Sequence, residues 1–115
     1  MMCSGKRALV TGAAGGGMGR SIALTLAREG AQVVVNYRTS RDAAEGLVEH
    51  IASEGGDAVA VQADAMTKDG CRTLVQAARD RFGGIDICVV NPGGEWRPGS
   101  IDKIVPEDCI DDIRR

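Results

Sequence analysis

Residues 11–19 read Thr-Gly-Ala-Ala-Gly-Gly-Gly-Met-Gly, and this glycine-rich stretch decides the fold. It follows a strand-like run at 6–11 and precedes an amphipathic helical pattern at 18–28. Between a strand and a helix, glycines let the backbone approach a pyrophosphate without a Cβ clash, and the first amides of the helix face the anion. The stretch therefore predicts a phosphate-binding turn, with a plain glycine-rich turn as the alternative. It is not a Walker A loop, because no Gly-Lys-Ser/Thr follows it.

Apolar runs and helical patterns alternate along the whole chain. We expect strands at 6–11, 32–37, 58–63 and 85–90. Helices are expected at 18–28, from a cap at Ser40 to Gly55, and from a cap at Thr67 to Gly83, and a further helix start is expected at Pro106. Such alternation predicts parallel βαβ units with right-handed crossovers. We therefore expect an α/β, Rossmann-type three-layer fold whose parallel sheet has the strand order 3-2-1-4.

Two of these elements carry detailed expectations about burial. The run at 32–37 is almost continuously apolar, which is typical of a parallel strand covered on both faces. In the third helix, the apolar positions recur at helical spacing and are expected to face the core: Cys71, Leu74, Val75, Ala78 and Phe82.

Composition narrows the class of protein. The 115 residues are 43% hydrophobic but only 3% aromatic, so the core must be built from small aliphatic side chains. The net charge of −2 and the lack of a Lys/Arg run argue against nucleic-acid binding, and no apolar stretch is long enough for a membrane span. Four cysteines with a single histidine and no CxxC unit predict reduced thiols rather than a metal site. A cytoplasmic location is the default expectation.

With these elements in register, the chain resembles the short-chain dehydrogenase/reductases. Their glycine loop reads T-G-x-x-x-G-x-G, and the stretch at 11–19 matches it if one extra residue is allowed within 13–16. The resemblance implies that this loop holds the pyrophosphate of a nicotinamide dinucleotide, through Gly12, Ala14, Gly17, Met18 and Gly19.

The end of the second strand, Asn36-Tyr37-Arg38, bears on the choice of cofactor. Rossmann sites that choose NAD usually place Asp or Glu there, hydrogen-bonded to the ribose hydroxyls. In this chain Tyr37 occupies that position, and Arg38 can pair with a 2′-phosphate. We expect NADP(H) to be preferred, with NAD(H) as the alternative cofactor, whereas the simpler interpretation of Arg38 is a solvated surface arginine.

Two further motifs follow the third and fourth strands. The resemblance implies that Asp64 and Ala65 contact the adenine, although a turn or capping aspartate is an equal alternative. The family's N-N-A-G motif is matched at Asn91 and Gly93, whereas Val90 and Pro92 depart from it. In the family the asparagine stabilises the central sheet and the segment passes under the cofactor. Pro92 lacks a backbone donor, so one contact with the cofactor is expected to be lost.

The resemblance implies hydride transfer between NADP(H) and a small carbonyl or alcohol substrate. The family's catalytic serine and Tyr-x-x-x-Lys are not in this sequence, whose only tyrosine is Tyr37, so we assign no catalytic residue. We interpret residues 1–115 as a partial NAD(P)-binding domain that is inactive alone, with self-association expected through the open edge strand at 85–90. The alternatives are a dinucleotide-binding module without chemistry and a methyltransferase, which would favour an acid after the second strand.

Overall fold

The computed structural model of the chain describes residues 2–14 and 17–91. The strands are β1 (Arg7–Val10), β2 (Gln32–Tyr37), β3 (Asp57–Gln62) and β4 (Ile87–Val89), and the helices are α1 (Met18–Arg28), α2 (Arg41–Ser53) and α3 (Lys68–Phe82). Neighbouring strands pair in parallel in the order β3-β2-β1-β4. The predicted Rossmann-type sheet is therefore confirmed.

The sheet is covered on both faces by helices. Val10, Val33 and Val35 lie in a buried cluster that includes side chains of α1 and α2. Leu9 and Val34 point to the opposite face, where they pack with Leu74 and other side chains of α3. Because side chains alternate along a strand, this arrangement requires apolar residues at consecutive positions of β2. The prediction that the strand at 32–37 is buried on both faces is confirmed.

The ends of α2 and α3 show which capping signals act. The Thr67 side chain accepts a hydrogen bond from the Gly70 backbone amide at 2.9 Å, as its position before α3 predicts. Gly83 ends α3 in the left-handed conformation, with φ of 87°. Ser40 occupies the capping position of α2, but its side chain makes no capping hydrogen bond.

The prediction for the core face of α3 is confirmed at three of its five positions. Leu74 and Ala78 are buried and Phe82 packs beside them. Val75 is only half-buried, and Cys71 is exposed. The Cys71 thiol instead donates to the backbone carbonyl of Ala65 at 3.2 Å. It lies in the first turn of α3, beside the Ala65 segment that follows β3.

Strand β4 begins two residues later than expected, because Asp86 has another role. Its carboxylate accepts hydrogen bonds from Arg7, at 2.9 Å from the Nε and 3.1 Å from Nη2, and at 2.9 Å from the Arg7 backbone amide. The Asp86 amide in turn donates to the Arg7 carbonyl at 2.7 Å. These bonds join the amino ends of β1 and β4, and the Arg7 hydrogen bonds lower the pKa of Asp86 from 3.8 to about 2.

The contact between Arg7 and Asp86 predicts an acid-dependent part of the stability. Since the pKa of Asp86 is depressed in the folded chain, its contribution is complete above pH 3.8 and is lost as pH falls towards 2. The Asp86→Asn variant should therefore be less stable than the wild type at neutral pH, and the difference should shrink between pH 3.8 and 2. Urea unfolding at a series of pH values measures this difference. Asp80→Asn, on α3, is the control, and a pH-independent difference for Asp86→Asn would contradict the prediction.

Candidate functional site

Four chain segments meet at the carboxyl ends of the parallel strands. They are the glycine loop after β1, residues 38–40 after β2, the turn at 63–67 after β3, and the segment that begins at Asn91 after β4. The strand order reverses at β1, since β2 lies on one side of it and β4 on the other. Open parallel sheets bind their ligands at such a reversal, outside the carboxyl ends of the strands.

The glycine loop and the end of β4 are in direct contact. Asn91 donates its backbone amide to the Thr11 hydroxyl at 2.8 Å, and the Thr11 amide donates to the Val89 carbonyl at 3.0 Å. A Cβ on Gly12 would lie 2.8 Å from the Asn91 carbonyl oxygen, and one on Gly19 would lie 2.7 Å from the Asn91 side-chain nitrogen. Glycine is required at both positions, because a Cβ would lie too close to the Asn91 carbonyl at Gly12 and to the Gly12 carbonyl and the Asn91 side chain at Gly19.

The start of α1 presents an open surface beside this contact. Among residues 2–14 and 17–91, no heavy atom beyond its chain neighbours lies within 4 Å of a Cβ placed on Gly17, which precedes the helix, and Met18 is 71% exposed. The first amides of a helix have no partner within the helix, and the helix dipole favours an anion there. The first turn of α1 contains no acidic residue. Ala14 is buried under the loop.

At the end of β2, Tyr37 and Arg38 have opposite environments. Tyr37 is only 8% exposed and lies in the core cluster between the sheet and the first two helices. Arg38 is exposed, and its backbone carbonyl accepts a hydrogen bond from the Gln62 side chain at 3.2 Å. Within residues 2–14 and 17–91, the Arg38 guanidinium has no carboxylate partner, whereas Arg41 is paired with Glu45 at 3.1 Å.

At the end of β3, Asp64 organises a tight turn. Its carboxylate accepts from the Met66 amide at 2.9 Å, and its carbonyl oxygen accepts from the Thr67 amide at 3.1 Å and from the Thr67 hydroxyl at 3.0 Å. Gly70 makes this turn possible, because a Cβ there would overlap the Asp64 carbonyl. Asp64 therefore forms a turn in this structure, as one of its two interpretations from the sequence predicted. A contact of Asp64 and Ala65 with adenine stays a prediction.

Asn36 makes contacts at the candidate site that the sequence motifs did not predict. It is 3% exposed at the end of β2, and its side chain hydrogen-bonds both to the glycine loop and to the end of β3. The signal in the sequence is a lone amide within the apolar run QVVVNY, because a buried polar side chain needs partners. Which partners it finds depends on how the strands are paired.

Part of the predicted site falls on residues that the structure does not describe. Pro92 and Gly93 lie outside the described residues, as do positions 15 and 16 of the glycine loop.

A separate cavity lies at the opposite, amino-terminal end of the sheet, near Gly30, Gly55 and Gly56. The charged groups that border it already have partners, since Arg28 pairs with Glu54 at 2.9 Å. This cavity therefore has fewer groups to offer a ligand than the carboxyl edge of the sheet.

Metal-ligand clusters and membrane-spanning helices are both absent from the described residues. Across residues 2–14 and 17–91, no group of three or more His, Cys, Asp or Glu side chains is arranged to hold a metal ion. None of the helices in this part of the chain has the length and apolar character needed to cross a membrane.

Comparison with known proteins gives consistent matches. The family described as short chain dehydrogenase matches residues 6–114. An uncharacterized oxidoreductase of Methylorubrum extorquens is 45% identical over 103 residues, which are 90% of this chain and 41% of that protein. Versicolorin reductase of Emericella nidulans is 49% identical over 89 residues, which are 77% of this chain and 33% of that protein.

The same match is found among solved structures. A short chain dehydrogenase from Burkholderia cenocepacia, in complex with NADP, superposes with a TM-score of 0.80 at 38% sequence identity. The superposition covers 99% of this chain and 46% of that one. The chain thus spans less than half the length of the proteins that it matches.

The close approach at Gly19 can be tested by stability alone. In the Gly19→Ala variant, the added methyl group would meet the Gly12 carbonyl oxygen and the Asn91 side chain, each at 2.7 Å. Overpacking of this kind costs about 1–3 kcal/mol, more than the helix gains from alanine. The matched control is Gly46→Ala on the exposed face of α2, where no neighbouring atom of the described residues comes within 4 Å of the new Cβ. The control should gain about 0.5–1 kcal/mol in denaturant unfolding, and equal effects of the two variants would refute the packing argument.

Proposed function

The chain belongs to the short chain dehydrogenase family, and on this premise we propose that it binds a nicotinamide dinucleotide for hydride transfer between NADP(H) and a small carbonyl or alcohol substrate. The bound nicotinamide ring supplies the hydride chemistry. The residues of this chain bind and orient the dinucleotide. We assign no proton transfer to them.

The observation that carries the proposal is the open cradle at the start of α1. Gly12 and Gly19 have other atoms within 3 Å of where a Cβ would stand, whereas the space over Gly17 is open as far as the described residues extend. A pyrophosphate in that space would receive the first amides of α1 and the positive end of the helix dipole. We assign the phosphate contacts to Gly12, Ala14, Gly17, Met18 and Gly19.

The other segments fit the remaining parts of the dinucleotide. Asp64 and Ala65 would contact the adenine, from a turn whose position is held by hydrogen bonds to Met66 and Thr67. The segment Asn91, Pro92 and Gly93 would pass under the cofactor, beside the contact between Asn91 and Thr11. Since all these segments lie at one edge of the sheet, a single extended ligand can reach them.

The environment of β2's end favours NADP(H) over NAD(H). An acidic side chain in the place of Tyr37 would repel a 2′-phosphate, and Tyr37 is instead buried in the core. Arg38 is exposed beside it, with its guanidinium unpaired by any carboxylate in the described part of the chain. An arginine can bind a phosphate through two parallel hydrogen bonds. The NADP bound to the Burkholderia cenocepacia relative is consistent with this preference.

A second candidate is dinucleotide binding without hydride transfer. The observation that favours it concerns Tyr37, the only tyrosine of the sequence, which is packed in the core and cannot reach a substrate. Measured oxidation of NADPH by the chain in the presence of short aldehydes and ketones would rule out this candidate.

Titration of the chain with NADPH and NADH tests the proposal and its cofactor preference. The Arg38→Ala variant should weaken NADPH binding about tenfold or more, because a charged hydrogen bond to the 2′-phosphate contributes about 1.5–3 kcal/mol. Its affinity for NADH should not change. Arg72→Ala, an exposed arginine on α3, is the matched control. Equal binding of both cofactors by the wild type, with no effect of Arg38→Ala on either, would refute the preference.

A further inference from the structure

Asn36 stands out as a polar side chain that is 3% exposed and bonded on both sides. Its Oδ1 accepts a hydrogen bond from the Gly12 backbone amide at 3.1 Å. Its Nδ2 donates to the Ala63 carbonyl at 3.0 Å and lies 3.4 Å from the Val61 carbonyl and 3.3 Å from that of Tyr37. One side chain thus connects the first glycine of the glycine loop with Ala63, which directly follows β3.

Asn36 lies at the level where the backbone pairing of β1 with β2 has just ended. The backbone pairing of β1 with β2 ends at Val10 and Val35, where the glycine loop turns away. Beyond that pair, the Asn36 side chain takes over and holds Gly12, while the Asn36 carbonyl accepts from the Ala13 amide at 3.1 Å. At this level the Asn36 side chain therefore adds to two backbone hydrogen bonds, the one from the Ala13 amide and one from the Ala63 amide to the Tyr37 carbonyl at 3.0 Å.

The chemistry of the side chain matches the two partners. Gly12 presents an N–H and needs an acceptor, whereas Ala63 presents a carbonyl and needs a donor. The asparagine amide provides an acceptor and a donor on one short side chain. An ionised carboxylate of the same length lacks the donor, and an aliphatic side chain lacks both the donor and the acceptor. Either replacement would leave at least one of these half-buried contacts without its hydrogen-bond partner, which costs free energy.

We propose that Asn36 is a positioning residue that sets the distance between the phosphate-binding loop and the adenine-binding turn, so that one dinucleotide can engage both. The proposal rests on the proposed function, since Gly12 belongs to the first segment and Asp64 directly follows Ala63 in the second. Asn36 is buried beneath the site and does not itself touch the ligand.

Two variants separate this role from a general effect on stability. Asn36→Ala removes both bonds and should raise the Kd for NADPH about tenfold or more while the chain remains folded. Asn36→Asp keeps the acceptor for Gly12 but places a carboxylate against the Ala63 carbonyl, so it should weaken binding at neutral pH. On acidification the carboxyl group becomes protonated and regains a donor. The ratio of variant to wild-type Kd should therefore fall towards one as pH is lowered.

The other titratable side chains on the adjoining strand ends are Tyr37, Arg38 and Asp64. Any effect of these groups or of the ligand's own ionisation is present in the wild type too, so it cancels in the ratio of the two Kd values at each pH. Ile51→Val is the control for stability, because it removes a buried methyl group near the opposite end of the sheet. It should leave the Kd for NADPH unchanged.

Amide hydrogen exchange in the unliganded chain gives a measurement independent of the cofactor. The Gly12 amide should exchange faster in Asn36→Ala than in the wild type, and in Ile51→Val it should not. Unchanged Gly12 exchange, or NADPH binding by Asn36→Ala that equals the wild type or the control, would overturn the proposal. If the wild type binds neither NADPH nor NADH, the proposed function fails and the ligand-positioning role of Asn36 fails with it. Gly12 exchange then shows separately whether the structural link exists.

Discussion

The close approach of Asn91 to Gly12 and Gly19 is the constraint on which the candidate site depends. It places Asn91, which follows β4, against the glycine loop and the first turn of α1. Thr11 strengthens the contact by accepting the Asn91 amide at 2.8 Å. Within the described part of the chain, the space over Gly17 is open, whereas Gly12 and Gly19 are closely packed.

A second group of contacts extends the site across the sheet. Asn36 links the glycine loop to the end of β3, and the turn at Asp64 and Thr67 then packs against the start of α3, where Gly70 leaves room for it. The hydrogen bonds of Asn36 and the one from Gly70 to Thr67 are half-buried, so each lost partner there would leave another group unsatisfied. The geometry of the carboxyl edge is therefore set by polar contacts as well as by packing of apolar side chains.

Much of the fold follows from local patterns, and the site follows from them only in part. The alternation of strands and helices, the cap at Thr67 and the double burial of the strand at 32–37 were predictable, because each depends on residues close in sequence. The start of β4 was not, because Asp86 is bonded to Arg7, which is 79 residues away along the chain. The exposure of Cys71 likewise depends on what α3 packs against.

The family motifs located the residues of the site but not the interactions among them. Gly12, Gly19 and Asn91 were each identified, and the structure brings the three together. The apolar run around Asn36 indicated a buried strand and not the bridge that its amide makes, because both of its partners depend on strand pairing. Asp64 was open to two interpretations, and its bonds to Met66 and Thr67 support the turn-forming one without excluding a ligand.

The central claim is that one dinucleotide binds across the carboxyl edge of the sheet. Its most direct test is the map of backbone amide chemical shifts during titration of the chain with NADPH. The account predicts that shifts concentrate at Gly12, at 17–19, at Arg38 and at 64–65. Shifts confined to the amino-terminal end of the sheet, around Gly30, Gly55 and Gly56, or no saturable shifts at all, would contradict it.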